Sequence, residues 1–213
     1  MIDHRIDWKR FERTGISEAI LCDVKTDHQV LRILETAEHA GQRLLLTRLA
    51  SERRKILAYA SLDYHEPSQT AVLGGIDGEL LDSGIGIVTA GTSDLQIAGE
   101  ASRTLAFHGV QSEIIADVGV AGIWRLMEQI DVLRQFRILI AIAGMEGALF
   151  TVLAGLVRAP VIAVPSAAGY GVAEGGRVAL GSALASCASG VLVVNTGNGF
   201  GAACGALRIL GER

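Results

Sequence analysis

Three residues in this chain have the types and settings that chemistry uses: Asp94, Glu146 and Cys187. Asp94 closes IGIVTAGTSD (85–94), where a short apolar strand runs into a Gly-Thr-Ser-Asp turn. A helical pattern follows from Leu95 to Phe107 and is ended by Gly109. A strand that hands small and hydroxyl residues to a helix start makes an anion site, because unpaired N–H groups and the helix dipole both attract a phosphate or carboxylate. A carboxylate beside such a site needs a role: holding a ribose hydroxyl, a metal or a proton. The alternative is that Ser93 or Asp94 caps the helix and binds nothing. Glu146 is the single charge of the apolar stretch 138–157. A carboxylate there is costly unless it is paired, solvated or protonated. Such isolation suits general acid–base work; an acid in a first helical turn, favoured by the dipole, is the alternative. Cys187 lies in Ser186-Cys187-Ala188-Ser189-Gly190; a small buried hydrophobe is the usual reading of a lone cysteine, but small polar neighbours would leave this sulfur accessible. Cys22 and Cys204 read instead as small buried hydrophobes.

The elements that must position these residues alternate regularly from Ile85 onward. Strands are predicted at 85–89, 112–117, 138–143, 161–165 and 191–195, and helices at 95–107, 123–136, 148–157, 176–185 and 199–210. Five strands alternating with five helices predict a parallel, three-layer α/β sheet. In such sheets ligands bind beyond the carboxyl ends of the strands, at the topological switch point. Each strand here ends in a glycine-bearing turn: Gly91-Thr92-Ser93-Asp94; Asp117 through Gly119 to Gly122; Gly144-Met145-Glu146-Gly147; Ser166 through Gly169-Tyr170-Gly171; and Asn195 through Asn198-Gly199. Glycine lets backbone approach a ligand closely. One such turn is a weak signal, and five at one sheet edge are a much stronger one.

Residues 1–78 read as a separate helical or small α/β region, and 79–213 as the main α/β domain. Thr26 opens a capping box with Gln29, and Val30, Leu31, Ile33 and Leu34 recur at helical spacing up to Gly41. Leu44–Thr47 reads as a short strand, 51–60 as a second helix, and 63–78, rich in turn formers, as a linker.

Composition narrows the function classes. The chain has 213 residues, a net charge of -4 and a pI of about 5.7, with no basic stripe interleaved with aromatics, which argues against nucleic-acid binding. Three cysteines without metal spacing support neither a disulfide framework nor a zinc site. The polar N-terminus has no signal-peptide apolar region, so a cytoplasmic location is expected. The runs 138–157 and 178–207 approach the length of a membrane span. Glycines and polar residues break both, and strands of a doubly covered sheet give the same pattern, so no membrane span is expected. Residues 1–70 hold 22 charged side chains and 138–213 only 7. So charge-poor a C-terminal third points to a homo-oligomer.

Taken together, IVTAGTSD, DVGVAG, AGMEGAL, PVIAVPS, GYG, SCASGV and NGFGA resemble the LarB family of nickel-pincer nucleotide biosynthesis. The N-terminal ID, R and V-K-T patterns extend the likeness over nearly the whole chain, and the C-terminal half also resembles the aminoimidazole ribonucleotide carboxylases. The resemblance implies a flavodoxin-like fold, an octamer and a divalent metal such as Mg2+ bound with the substrate phosphates. It implies a synthase that takes nicotinic acid adenine dinucleotide and CO2 or bicarbonate, carboxylates the pyridinium ring at carbon five and cleaves the phosphoanhydride, releasing AMP. Cys187 matches the family nucleophile by its SCASGV context. On the same ground Glu146 assists proton transfer or positions substrate, and Ser93 and Asp94 hold the nicotinate end or the ribose. The substrate-binding set is Gly91, Thr92, Ser93, Asp94, Gly119, Gly122, Gly144, Met145, Gly147, Gly169, Tyr170, Gly171, Asn195, Asn198 and Gly199. The chain departs from the family pattern at Trp124 (in place of His), at Phe150-Thr151 (in place of Pro-Ser) and at Gly197 (in place of Asp), which bears on metal and phosphate binding. Two rival readings are an aminoimidazole ribonucleotide carboxylase or mutase, whose His-Arg-Thr segment is replaced here by VGVAGIWR, and a non-catalytic nucleotide-binding protein, which has no need of Cys187.

Overall fold

A computed structural model describes residues 4–57, 62–76 and 78–211. The first part holds α1 (Arg10–Thr14), β1 (Ala19–Leu21), α2 (Asp27–His39), β2 (Leu44–Thr47), α3 (Ser51–Leu57), β3 (Leu62–His65) and β4 (Thr70–Leu73). The capping box forms: Thr26 Oγ1 accepts from the Gln29 N–H and Gln29 Oε1 from the Thr26 N–H. Val30, Ile33, Leu34 and Ala37 make the buried stripe of α2. The last residues of the predicted helix 51–60 lie outside the described residues. The strands order as β1-β2-β4-β3, with β1 parallel to β2 and β4 antiparallel to both its neighbours. The predicted linker at 63–78 is therefore corrected. Its turn formers Pro67 and Ser68 sit in one 3-10 turn, Glu66–Ser68, and the apolar Ala71 and Val72 beyond them complete the sheet, fully buried.

The second part holds β5 (Leu81–Thr89), α4 (Leu95–Phe107), β6 (Val110–Ile115), α5 (Ile123–Glu128), α6 (Ile130–Leu133), β7 (Ile138–Ala143), α7 (Ala148–Leu156), β8 (Val161–Pro165), α8 (Arg177–Leu184), β9 (Val191–Val193) and α9 (Gly199–Leu210). Its sheet is wholly parallel in the order β6-β5-β7-β8-β9. This is the flavodoxin-like order, with the switch point between β5 and β7. Ala98, Ala101 and Leu105 of α4 and Ala202, Ala203 and Ala206 of α9 pack on Ile85, Ile87 and Ile140. Phe150 and Leu153 of α7 and Ala179 and Ala183 of α8 cover the other face, against Val88, Leu139 and Ala141. All six residues of β7 are buried, which explains its unbroken apolar run.

The last strand of the sheet stops at Val193, two residues short of its predicted end, and the helices predicted at 148–157 and 176–185 are trimmed by a residue at one or both ends. Three larger differences have a visible cause. β5 begins at Leu81, because a register shift between Asp82 and Gly86 hides its first half from the alternation pattern. Asp117 has φ 58, so the chain has left strand geometry there and β6 spans Val110–Ile115. The helix predicted over 123–136 is two short ones, parted at Gln129. The apolar runs 138–157 and 178–207 resolve into strand–helix pieces, and among the described residues no helix is long and apolar enough to cross a membrane.

Candidate active site at the carboxyl edge of the sheet

At the switch point β5 delivers the chain to Gly91, and Thr92–Asp94 forms a 3-10 turn that feeds α4. The Asp94 side chain is buried, and it does not cap α4. Its Oδ2 accepts the Gly91 N–H at 3.1 Å and its Oδ1 accepts the Ser166 hydroxyl at 2.6 Å. Ser166, equally buried, is the first residue past β8. Burial pushes the Asp94 carboxyl above its ordinary range, and the Ser166 and Gly91 hydrogen bonds pull it part of the way back. The carboxylate thus ties two of the five turns together across the sheet edge. Thr92 and Ser93 are exposed beside it.

The other turns dock on these two. The Met145 N–H donates to Ala168 O at 2.8 Å, and a Cβ on Gly144 would stand 1.9 Å from that same oxygen. The Val118 N–H donates to Thr89 O, and a Cβ on Gly119 would stand 2.6 Å from Ala90 O. A Cβ on Gly169 or Gly199 would likewise meet backbone, Ala173 O at 2.7 Å or Ile97 O at 2.5 Å. These four glycines are needed for close backbone packing, two between turns, one within its own turn and one against α4, with or without a ligand. Gly91 and Gly171 are different: among the described residues nothing beyond their chain neighbours would come closer than 3.6 Å to a Cβ there. Gly122 faces the Arg125 side chain, which pairs with Asp117 at 2.7 Å. Asn198 caps α9 by accepting the Gly201 N–H, and Asn195 Oδ1 accepts the Thr196 N–H.

Residues 84–213 match the AIR carboxylase family, and residues 3–74 match the LarB/PurE-like N-terminal domain. A protein of Methanocaldococcus jannaschii described as uncharacterised is 35% identical over 208 residues, 93% of this chain and 80% of that one. The chain belongs to the LarB family, related to the AIR carboxylases. Its family places it among carboxylase-type enzymes, and the flavodoxin-like sheet agrees.

In this LarB-family chain the remaining candidates sit as follows. Glu146 is exposed at the tip of the third turn beside Met145, which is in the left-handed region at φ 49. It is therefore solvated, not buried in the apolar run that surrounds it in sequence. Gly147 starts α7 at φ 64, and Tyr170 is 78% exposed. Cys187 is the exposed cysteine of the three, and burial pushes the Cys22 and Cys204 thiols up to about 12. Cys187 lies between α8 and β9, and β9 enters a parallel sheet at its amino edge. Asp94, Glu146 and Tyr170 are at the carboxyl edge. One chain alone therefore brings Asp94, Ser166 and the turns together but leaves Cys187 at the other end of the strands.

Two site residues carry no role in the sequence reading. Ser166 is a small hydroxyl behind the Val161–Pro165 strand, and only the fold reveals that it faces Asp94. Glu100 is buried on α4, where its Oε2 accepts the Gly199 and Phe200 N–H groups at 3.0 and 3.3 Å. Burial raises its carboxyl, opposed by the Arg48 charge and those two bonds. An acid between Ala98 and Ala101, on the apolar face of α4, is the signal that could have found it.

Proposed function

We propose that this chain carboxylates the pyridinium ring of nicotinic acid adenine dinucleotide at carbon five and hydrolyses the phosphoanhydride, giving pyridinium-3,5-biscarboxylic acid mononucleotide and AMP. The observation that carries the covalent route is the contrast among the cysteines: Cys187 is exposed while the other two thiols are held protonated by burial. The pyridinium is electron-poor and does not attack CO2. The Cys187 thiolate adds to the ring carbon para to nitrogen, forming an S–C bond and moving an electron pair onto the ring nitrogen. The resulting enamine attacks CO2 through carbon five. A base then takes the carbon-five proton, the S–C bond breaks, and the ring regains its aromatic cation as the thiolate leaves. Glu146, solvated at the rim, is the base in this scheme. Asp94 and the hydroxyls of Thr92 and Ser93 hold the nicotinate riboside. Water cleaves the phosphoanhydride.

Among the described residues no group of three or more His, Cys, Asp and Glu is placed to hold a metal. Magnesium carried on substrate phosphates fits this chain, since it needs only one or two protein carboxylates, and Asp23 is an exposed carboxylate on that side. It would neutralise charge on the phosphoanhydride.

Cys187 and Asp94 meet if the site is shared between copies. A homo-oligomer, an octamer in our reading, sets Cys187 of one copy over the carboxyl edge of another. The exposed Tyr170, Val172, Leu184 and Leu192 support such an interface. The test is complementation. Cys187→Ala and Asp94→Asn are each expected to give no carboxylated dinucleotide product by mass spectrometry. Mixed oligomers reassembled from both should recover a fraction of wild-type activity. Full activity of Cys187→Ala alone would end the covalent scheme, and a monomer by light scattering would end the shared site.

A further inference from the structure

A cleft of about 570 Å³ opens between the two parts of the chain, above the carboxyl edge of the large sheet. Its position is tied to the turn site: Ala167 on its wall follows Ser166, and Gln96 follows Asp94 by two residues. The opposite wall belongs to the N-terminal part and includes Arg48, Ala50 and Gln69. The volume lies in the range of small-molecule sites.

The cleft wall is built under constraint. Arg48 and Gln69 sit opposite in register, just past the end of β2 and just before the start of β4, and both are in the left-handed region, at φ 54 and 52. Side-chain-bearing residues are strained there and persist only where the surroundings fix them. The fixing contacts are visible: the Leu49 N–H donates to Gln69 O at 2.7 Å, and Arg48 Nη2 donates to Gly197 O at 2.9 Å. The second arm of that guanidinium meets Asp23 at 3.4 Å, a long contact between groups each about 40% exposed. That contact is weak enough to be exchanged for a phosphate oxygen, which the Nη1 arm takes in a charge-assisted hydrogen bond while Nη2 stays on Gly197 O. Gln69 and Gln96 offer amides that both donate and accept, matching the edge of a purine, and Ile97 and Ala50 add apolar surface for its face.

We infer that this cleft is the subsite for the adenylate half of the substrate, with Arg48 as its phosphate contact. The inference rests on the proposed dinucleotide only for which half lies here. On this account the N-terminal part supplies the wall that the carboxylase-like sheet lacks.

The test is calorimetric titration of AMP, and of adenosine, into the full chain, its Arg48→Gln variant and its Ala50→Trp variant. Arg48→Gln removes the charge, and Ala50→Trp fills the cleft without touching Asp94 or Ser166. Wild-type protein should bind AMP more tightly than adenosine. Arg48→Gln should weaken AMP by about 10- to 100-fold, the loss of one charge-assisted hydrogen bond, and leave adenosine unchanged. Ala50→Trp should weaken both, with an unchanged melting temperature as the check on folding. AMP affinity indifferent to both substitutions, or no AMP binding by wild-type protein at millimolar ligand, would overturn the subsite. If AMP binds in the Arg48-dependent way and yet no dinucleotide is carboxylated, the subsite stands and the proposed reaction falls. If carboxylation proceeds and AMP ignores both variants, the reverse holds.

Discussion

Ser166→Ala isolates the contact that organises the candidate site. The mutation removes one donor, at 2.6 Å, from a carboxylate that is 2% exposed and leaves it only the Gly91 N–H. A hydrogen bond to a buried charged group contributes about 1.5–3 kcal/mol, so a loss of that size is expected at pH 8. The loss should depend on pH in a definite direction. Burial already raises the Asp94 pKa, and deleting a bond that lowers it raises it further. A carboxyl with a raised folded pKa contributes its full stability below the unfolded value and loses it as pH rises through the folded one. The penalty of Ser166→Ala is therefore greatest where Asp94 is ionised in both proteins, and it shrinks toward pH 4. The assay is urea unfolding at pH 8 and pH 4.5, read as a midpoint shift at constant slope. An Asp94→Asn background supplies the control. Asn keeps both contacts, since its oxygen accepts from Gly91 and its NH2 group donates to Ser166 Oγ. There the loss should fall to about 0.5–1.5 kcal/mol and become flat with pH. Equal losses at both pH values in the Asp94 protein would refute the charge-assisted bond and with it the account of this turn.

Glu146→Gln should melt with the wild type, within about 0.5 kcal/mol as for exposed sites, yet slow carboxylation by about 10²-fold or more; wild-type rates would reduce Glu146 to a helix-start acid. Cys22→Ala and Cys204→Ala should keep the activity that Cys187→Ser loses, and product from Cys187→Ser at the wild-type rate would contradict the assignment. His108 joins the two parts of the chain in its neutral form: Nε2 accepts the Ser17 N–H and Nδ1 donates to Thr104 O. Burial pushes its pKa below the usual histidine value. Its stabilisation should be complete above the unfolded pKa of about 6.5 and be lost as pH falls through the lowered folded value. Unfolding midpoints between pH 7.5 and 5.5 should therefore drop more for wild type than for His108→Gln, and parallel profiles would remove His108 from the account.

What the sequence made legible follows from where each signal resides. The 138–143 and 161–165 strands and the helices over 95–107 and 199–210 could be read to the residue, because continuous apolar runs and glycine ends are local signals. β3 and β4 could not. Their four-residue lengths are interrupted by Pro67 and Ser68, and their stability comes from pairing with β2, which no local pattern reveals. Asp94 and Glu146 could be singled out by type and setting, but their environments could not be ranked. Glu146 sits in the most apolar sequence and is solvated, whereas Asp94 sits in a polar turn and is buried. Ser166 and Glu100 went unread for the same reason: each matters through a contact across 72 or 99 residues of chain. The glycine-rich turns signalled a crowded edge correctly, but backbone packing accounts for Gly119, Gly144, Gly169 and Gly199 before any ligand is invoked.

The charge state of Asp94 bears on which ring this site suits. Both its hydrogen-bond partners are neutral, a hydroxyl and a backbone N–H, so among the described residues the buried, ionised form has no cationic partner at hydrogen-bonding distance. A pyridinium ring entering the turn brings that positive charge. It favours the carboxylate, lowers the raised pKa and offsets the desolvation that the fold imposes. A neutral ring of the same shape offers no such gain and leaves the acid buried and uncompensated. The reduced, uncharged dinucleotide should therefore bind more weakly than the oxidised one, with the gap widening as pH rises through the Asp94 pKa. Asp94→Asn should narrow the gap by lowering affinity for the cation while sparing the neutral ring. Equal binding of the two rings by the wild type would mean that the pyridinium does not sit against this carboxylate. The nicotinate half would then have to be placed elsewhere along the carboxyl edge.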